Sequence, residues 1–91
     1  MAYDFRINDS PALLLSKNGE IVAKIDFHRD EEGRFFLDYL WVDPLRRGQG
    51  LARKMIDHFA DHVRGEGQKI TPICGVARSI LTGSDEYDDL L

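Results

Sequence analysis

Ninety-one residues, 43% of them apolar and 31% charged, suit one soluble globular domain over 1–91, since a single core serves roughly 100–200 residues. The net charge of −4 argues against a general nucleic-acid binder, and no apolar run approaches the roughly 20 residues that cross a bilayer, so neither nucleic acid nor membrane is expected as a partner. One cysteine, Cys74, excludes an internal disulfide, and residues 1–6 lack the basic-then-apolar pattern of a secretory signal, so the expected location is cytoplasmic.

The first half of the chain predicts antiparallel strands. Residues 3–8 suit a short edge strand, and residues 12–17 carry the run Ala12-Leu13-Leu14-Leu15. Asn18-Gly19 then separates it from residues 20–27, and Asn-Gly between two apolar segments is a strong hairpin signal because both residues tolerate positive φ. In the second strand Ile21, Ala23, Ile25 and Phe27 alternate with Glu20, Val22, Lys24 and Asp26, which assigns the first set to the core. After the polar turn 29–33, residues 35–42 are aromatic and nearly continuous in their apolarity, which predicts a central strand covered on both faces.

Asp43-Pro44 stops that strand, because proline cannot donate to a ladder. From Gly48 or Gln49 to about Arg64 the period becomes helical, with Leu51, Met55, Phe59 and Val63 every four residues and Ala52, Ile56 and Ala60 widening the stripe. Gly65-Glu66-Gly67 closes the helix. Residues 69–74 suit a short strand, residues 75–81 a second helix with Val76, Ile80 and Leu81 on its apolar side, and the tail one further turn. The fold class is therefore α+β: an antiparallel β-meander followed by helix, strand and helix.

The informative junction is strand, Asp43-Pro44, basic loop, two glycines, amphipathic helix. A helix start presents free N–H groups and the positive end of a dipole, so it attracts anions. Gly48 and Gly50 lack the Cβ atoms that would keep a diphosphate from the backbone, and Arg46, Arg47 and Arg53 can add charge-assisted contacts. With Lys54 these arginines fall in a nine-residue window of an acidic chain, which suits either a small anionic ligand, rather than a polyanion, or a solvated helix start that is merely basic. An ATP-type phosphate loop is excluded, since no Lys-Ser/Thr pair follows at its spacing. The dinucleotide fingerprint is excluded too: Arg53 stands where its third glycine belongs, and a meander replaces the βαβ unit.

Arg47-Gly48-Gln49-Gly50-Leu51-Ala52 resembles the Gln/Arg-x-x-Gly-x-Gly/Ala signature of the GNAT superfamily of N-acetyltransferases. Pro72-Ile73-Cys74 and Glu86-Tyr87-Asp88-Asp89 resemble the Pro-x-Cys and Glu-Tyr-x-Asp segments of its short GNAT-like members. The resemblance runs from about Leu13 onward and implies a truncated GNAT fold that binds acetyl-CoA and acetylates an amine. It implies that Arg47, Gly48, Gln49, Gly50, Leu51 and Ala52 hold the pyrophosphate, and that backbone groups of Leu40, Trp41 and Val42 pair with pantetheine. It also implies an acyl-accepting role for Cys74. Tyr39 and Leu40 stand where the short members often carry His-Thr, so no role of that histidine transfers.

From chemistry alone Cys74 has two readings: a thiolate favoured by the following helix start, or a small buried hydrophobe. No general base stands out. His28 lies near a turn, His58 and His62 share the polar side of the long helix, and Asp38 is the better-placed carboxylate. Tyr87 either protonates a leaving thiolate or packs to close the tail. No metal site is indicated. Only Asn8-Asp9-Ser10-Pro11 fills the gap where larger relatives place two helices, so an acceptor site is expected to be shallow or completed by a second copy in a homodimer. A coenzyme A-binding module without catalysis, and a plain interaction domain, are the competing functions.

Overall fold

Asn18 and Gly19 take positive φ, +55° and +81°, and reverse the chain between two long strands as the dipeptide requires. In the computed structural model, which describes residues 3–8 and 11–91, the strands are β1 (Asp4–Asn8), β2 (Ala12–Lys17), β3 (Glu20–Arg29), β4 (Phe35–Val42) and β5 (Ile70–Pro72). They form one sheet in the order β1-β2-β3-β4-β5, antiparallel except for the parallel pair β4–β5. A parallel neighbour needs a crossover, which the long helix α1 (Leu51–Gly65) supplies. The shorter α2 (Gly75–Thr82) and a 3-10 helix over Asp85–Leu90 complete the chain, so the meander, helix, strand, helix order is as expected. Asp9 and Ser10, two of the three residues between β1 and β2, lie outside the described residues.

Both helices and the tail pack on one side of the sheet. The buried stripe of α1, Leu51, Met55, Ile56, Phe59, Ala60 and Val63, meets the inward residues of β2 to β5 in a single core. Phe27, Phe35 and Phe59 form its aromatic centre, with ring centroids 5.2–5.9 Å apart. Ala77 and Leu81 of α2, with Tyr87 and Leu90 of the tail, close the same core. Among the described residues, no helix is long and apolar enough to cross a membrane.

Two sequence expectations fail. The β2–β3 register slips between Leu15 and Ser16, leaving Val22 as an extra residue opposite no partner. Val22 and Ala23 are consequently both buried, and Ile21 turns outward, 49% exposed. β4 is not covered on both faces. Phe35, Leu37 and Leu40 face the helices, whereas Tyr39, 51% exposed, lies on a face that no helix covers.

Candidate functional site

A second bulge shapes the site. Phe27 pairs with Leu37 and Asp26 with Tyr39, so Asp38 is the extra residue on β4. Such a bulge bends its strand. The β4–β5 ladder stops accordingly: it joins Phe35 to Ile70, Phe36 to Thr71 and Leu37 to Pro72 and goes no further. The Leu37 carbonyl accepts both the Ile73 and the Cys74 N–H, at 2.9 and 3.2 Å, and there the two segments part. Among the described residues no strand pairs with β4 on that side from Asp38 to Val42, which leaves a strand edge facing a gap.

The loop after β4 closes one end of this gap. Asp43 accepts the Leu45 N–H at 3.0 Å and starts a 3-10 turn over Pro44–Arg46. Gly48 and Gly50 follow at φ +85° and +74°, a left-handed backbone that side chains rarely adopt. A Cβ at either position would meet no protein atom within 4 Å, so conformation and open space, rather than crowding, call for glycine. Gly50 caps α1, which therefore begins at Leu51, later than the expected Gly48 or Gln49. The helix start has no side-chain cap and no acidic residue in its first turn. Its first amides are thus left for an outside acceptor.

The edge of β4, this loop and α2 enclose an open groove of about 540 Å³, a size that suits a small-molecule ligand. Leu40 and Val42 form one wall, and Arg47, Gly48, Gly50, Leu51 and Ala52 form the head. Val76 and Ile80 form the other wall. With Leu81 they were expected to serve the core; Leu81 is buried and Ile80 packs partly against the core, but Val76 is 58% exposed and Ala77 is buried in its place. Of the other sequence candidates, Gln49 is exposed beside the groove without lining it. Trp41 lines a separate hollow with Ile21, Lys24 and Tyr39 on the uncovered sheet face, away from the groove.

The basic cluster separates. Arg46 turns to Asp43 and Glu20, at 3.7 and 3.9 Å, away from the loop. Lys54 lies over the Tyr3 ring at 4.8 Å. Arg53 lines the groove but donates to Glu86 at 2.6 Å, a contact that with the nearby Tyr87 raises its pKa, and sits 3.5 Å from Asp57. Arg47 alone among these lines the groove with no ion pair among the described residues.

Cys74 stands at the N-cap of α2, partly buried beside the core. Burial pushes its thiol pKa up, but backbone amides of Ala77, Leu40 and Val76 favour the thiolate and bring the net pKa below the ordinary value. The Leu40 amide places this thiol at the gap. Tyr87 is 1% exposed and donates to Asp57, so it packs the tail and is not open to a substrate. His58, on the polar side of α1 as expected, is exposed, and His62 is half-buried. His58 stacks on Phe5, with centroids 3.9 Å apart, and His62 packs edge-on against Phe35. His28 is hydrogen-bonded through Nδ1 to Asp38 Oδ2 at 2.7 Å, a pairing across the β3–β4 bulge that spacing alone could not reveal.

A sheet that splays beside a glycine-flanked helix start defines the N-acyltransferase fold. The sequence matches the profile of the GCN5-related N-acetyl-transferase family over residues 12–90, and the chain belongs to that family, whose class of activity is N-acetyl transfer. No curated protein sequence matches it. The fold is similar to that of a GCN5-like candidate N-acetyltransferase from Staphylococcus aureus, with TM-score 0.78 and 20% identity over 96% of this chain and 85% of that one. It is also similar to the ribosomal-protein-S18-alanine N-acetyltransferase of Escherichia coli, with TM-score 0.68 and 20% identity over 84% of this chain and 52% of that one. An acetyltransferase predicted in Clostridium acetobutylicum, determined with acetyl-CoA, gives TM-score 0.59 and 18% identity over 84% of this chain and 60% of that one. The chain thus spans about half to three-fifths of these last two proteins.

Proposed function

We propose that the chain binds acetyl-CoA in the groove and transfers the acetyl group to the nitrogen of an amine. The uncapped start of α1, opening on the groove beside the unpaired edge of β4, is the observation that supports this most directly. Backbone N–H groups of Arg47, Gly48, Gln49, Gly50, Leu51 and Ala52 hold the pyrophosphate, and the Arg47 guanidinium adds charge. Leu40, Trp41 and Val42 offer backbone groups to the pantetheine amides, as one strand pairs with another. When bound, the cofactor supplies a thioester carbon open to nucleophilic attack.

Cys74 acts as the first acceptor in this reading. Its sulfur bonds to the acyl carbon as the coenzyme A thioester breaks, and its proton passes to the departing thiolate. The amine then takes the acyl group and restores the cysteine, a two-step course. Because the sheet face opposite the helices is uncovered, the acceptor site is shallow, and a second copy of the chain would deepen it. Concentration-dependent sedimentation would reveal such a homodimer, which a strict monomer at high concentration would remove.

The test is release of free thiol from acetyl-CoA in the presence of primary amines and short peptides, with coenzyme A binding measured by calorimetry. Amine-dependent release is expected. Binding without release would leave a coenzyme A-binding module, and absence of binding would dismiss the reading.

A further inference from the structure

We infer that His28 and Asp38 form a proton-accepting dyad on the sheet face opposite the groove, with His28 Nε2 taking the proton of the incoming amine. This inference rests on the acetyl-transfer reading above. The side chains alternate along both strands, so with Phe27, Phe35 and Leu37 facing the core, His28 and Phe36 face the uncovered side. The imidazole lies flat on Phe36, with ring centroids 4.7 Å apart and planes 4° from parallel. Its Nδ1 is 2.7 Å from Asp38 Oδ2.

The chemistry of that contact fixes the tautomer. A carboxylate only accepts, so the hydrogen of the neutral ring is held on Nδ1, and Nε2 is left with its lone pair directed away from Asp38. A ring oriented by a carboxylate, with its other nitrogen open, is the arrangement in which histidine removes a proton from a nucleophile. His58 and His62 lack any such partner among the described residues; both pack against phenylalanine rings.

Its place in the sheet connects the dyad to the gap. Asp38 is the bulged residue of β4 and directly follows Leu37, whose carbonyl makes the last backbone–backbone hydrogen bonds to the segment after β5. The bulge that opens the gap therefore also brings out the carboxylate that meets His28. An acyl group lying in the gap from the groove side is met by an amine arriving from the uncovered side. As the amine nitrogen bonds to the acyl carbon, its proton passes to His28 Nε2 and the carbon–sulfur bond breaks. The departing thiolate takes that proton from the imidazolium, which leaves an amide, a free thiol and a neutral His28. The same balance holds whether the thiolate is that of coenzyme A or of Cys74. Asp38 acts through His28 and is a positioning residue.

The test has two readouts on the full chain. Nitrogen-resolved NMR of the imidazoles reports the tautomer without any substrate. Wild type should show His28 protonated on Nδ1, and Asp38→Asn should shift it toward the Nε2–H form; an Nε2–H ring in wild type overturns the dyad. Kinetically, His28→Ala should lower amine-dependent kcat roughly 10²-fold, leave the coenzyme A Kd unchanged, and recover activity with added imidazole. Asp38→Asn should lower kcat with little change in the KM for acetyl-CoA. If wild type turns over amines and both variants match it, the dyad is wrong and acetyl transfer stands. If wild type binds no coenzyme A, the acetyl-transfer reading itself has failed and takes the dyad with it.

Discussion

Tyr87 donates its phenolic O–H to the Asp57 carboxylate and so ties the C-terminal 3-10 helix to the exposed side of α1. Arg64 secures the same tail further along, donating to both carboxylate oxygens of Asp89 at 2.9 and 3.1 Å and to the Glu86 carbonyl at 2.9 Å. Tyr87 is thus part of the core's lid. Tyr87→Phe keeps the ring and loses one hydrogen bond, so stability should fall by about 1 kcal/mol with acetyl transfer retained. Tyr87→Ala should lose about 3–5 kcal/mol by opening a cavity. Denaturant melts and thiol-release assays on both variants check this; loss of activity in Tyr87→Phe would restore the tyrosine to the chemistry.

The same phenol gives a pH signature. Burial, then the hydrogen bond and charge of Asp57, push its pKa from the usual 10.0 up to about 12. The unfolded chain therefore releases this proton first as pH rises. The stability Tyr87 contributes is complete below pH 10 and drains away between about 10 and about 12. The difference in unfolding free energy between wild type and Tyr87→Phe should shrink over that range. A difference that stays constant with pH would contradict it.

Gly50 has φ +74° and faces open space. Gly50→Ala should fold and lose about 1–2 kcal/mol through the left-handed backbone alone. Its effect on coenzyme A binding should be larger than strain explains, at least roughly tenfold in Kd, because in the proposed reading a Cβ there stands where the pyrophosphate approaches. Calorimetry beside a thermal melt separates the two effects.

Arg53 is divided between the groove and the acidic tail. If the groove holds the cofactor phosphates as proposed, Glu86→Gln should release the guanidinium toward them, tightening coenzyme A binding about twofold to fivefold, the range expected for one exposed charge pair. The gain should fade at high salt. Unchanged affinity at low salt would show that Arg53 serves the tail alone.

Cys74 should react as a mildly activated thiol. Its amide neighbours lower its pKa below the ordinary thiol value of 9.0, so the rate of iodoacetamide alkylation should reach half its plateau below that pH. Mass spectrometry after exposure to acetyl-CoA should find one acetyl group, lost in Cys74→Ala. A midpoint at or above 9.0 with no adduct would make this cysteine a packing residue.

The elements legible in the sequence were those whose local chemistry is decisive. Asn18-Gly19 set a hairpin, the four-residue recurrence from Leu51 to Val63 set α1, and the glycines after Pro44 marked the helix start that heads the groove. Hidden from it were effects of register. The bulges at Val22 and Asp38 turn Ile21 outward, end the β4–β5 ladder at Leu37 and bring His28 to Asp38 across ten residues. No periodicity announces a bulge, because one extra residue leaves composition and average spacing intact. The groove wall was missed for a related reason: Val76 and Ile80 have the apolar character of core residues, and only the divergence of β4 and β5 leaves them facing space. Arg46 looked like a phosphate ligand by position, yet Asp43 and Glu20 hold it elsewhere.

Amide chemical shifts followed during titration with coenzyme A test the groove most directly in a chain of 91 residues. The largest changes should fall on residues 47–52 and on Leu40 and Val42, with β1 and the tail unmoved. Saturating coenzyme A that leaves those amides in place, or moves only residues elsewhere, would contradict the account.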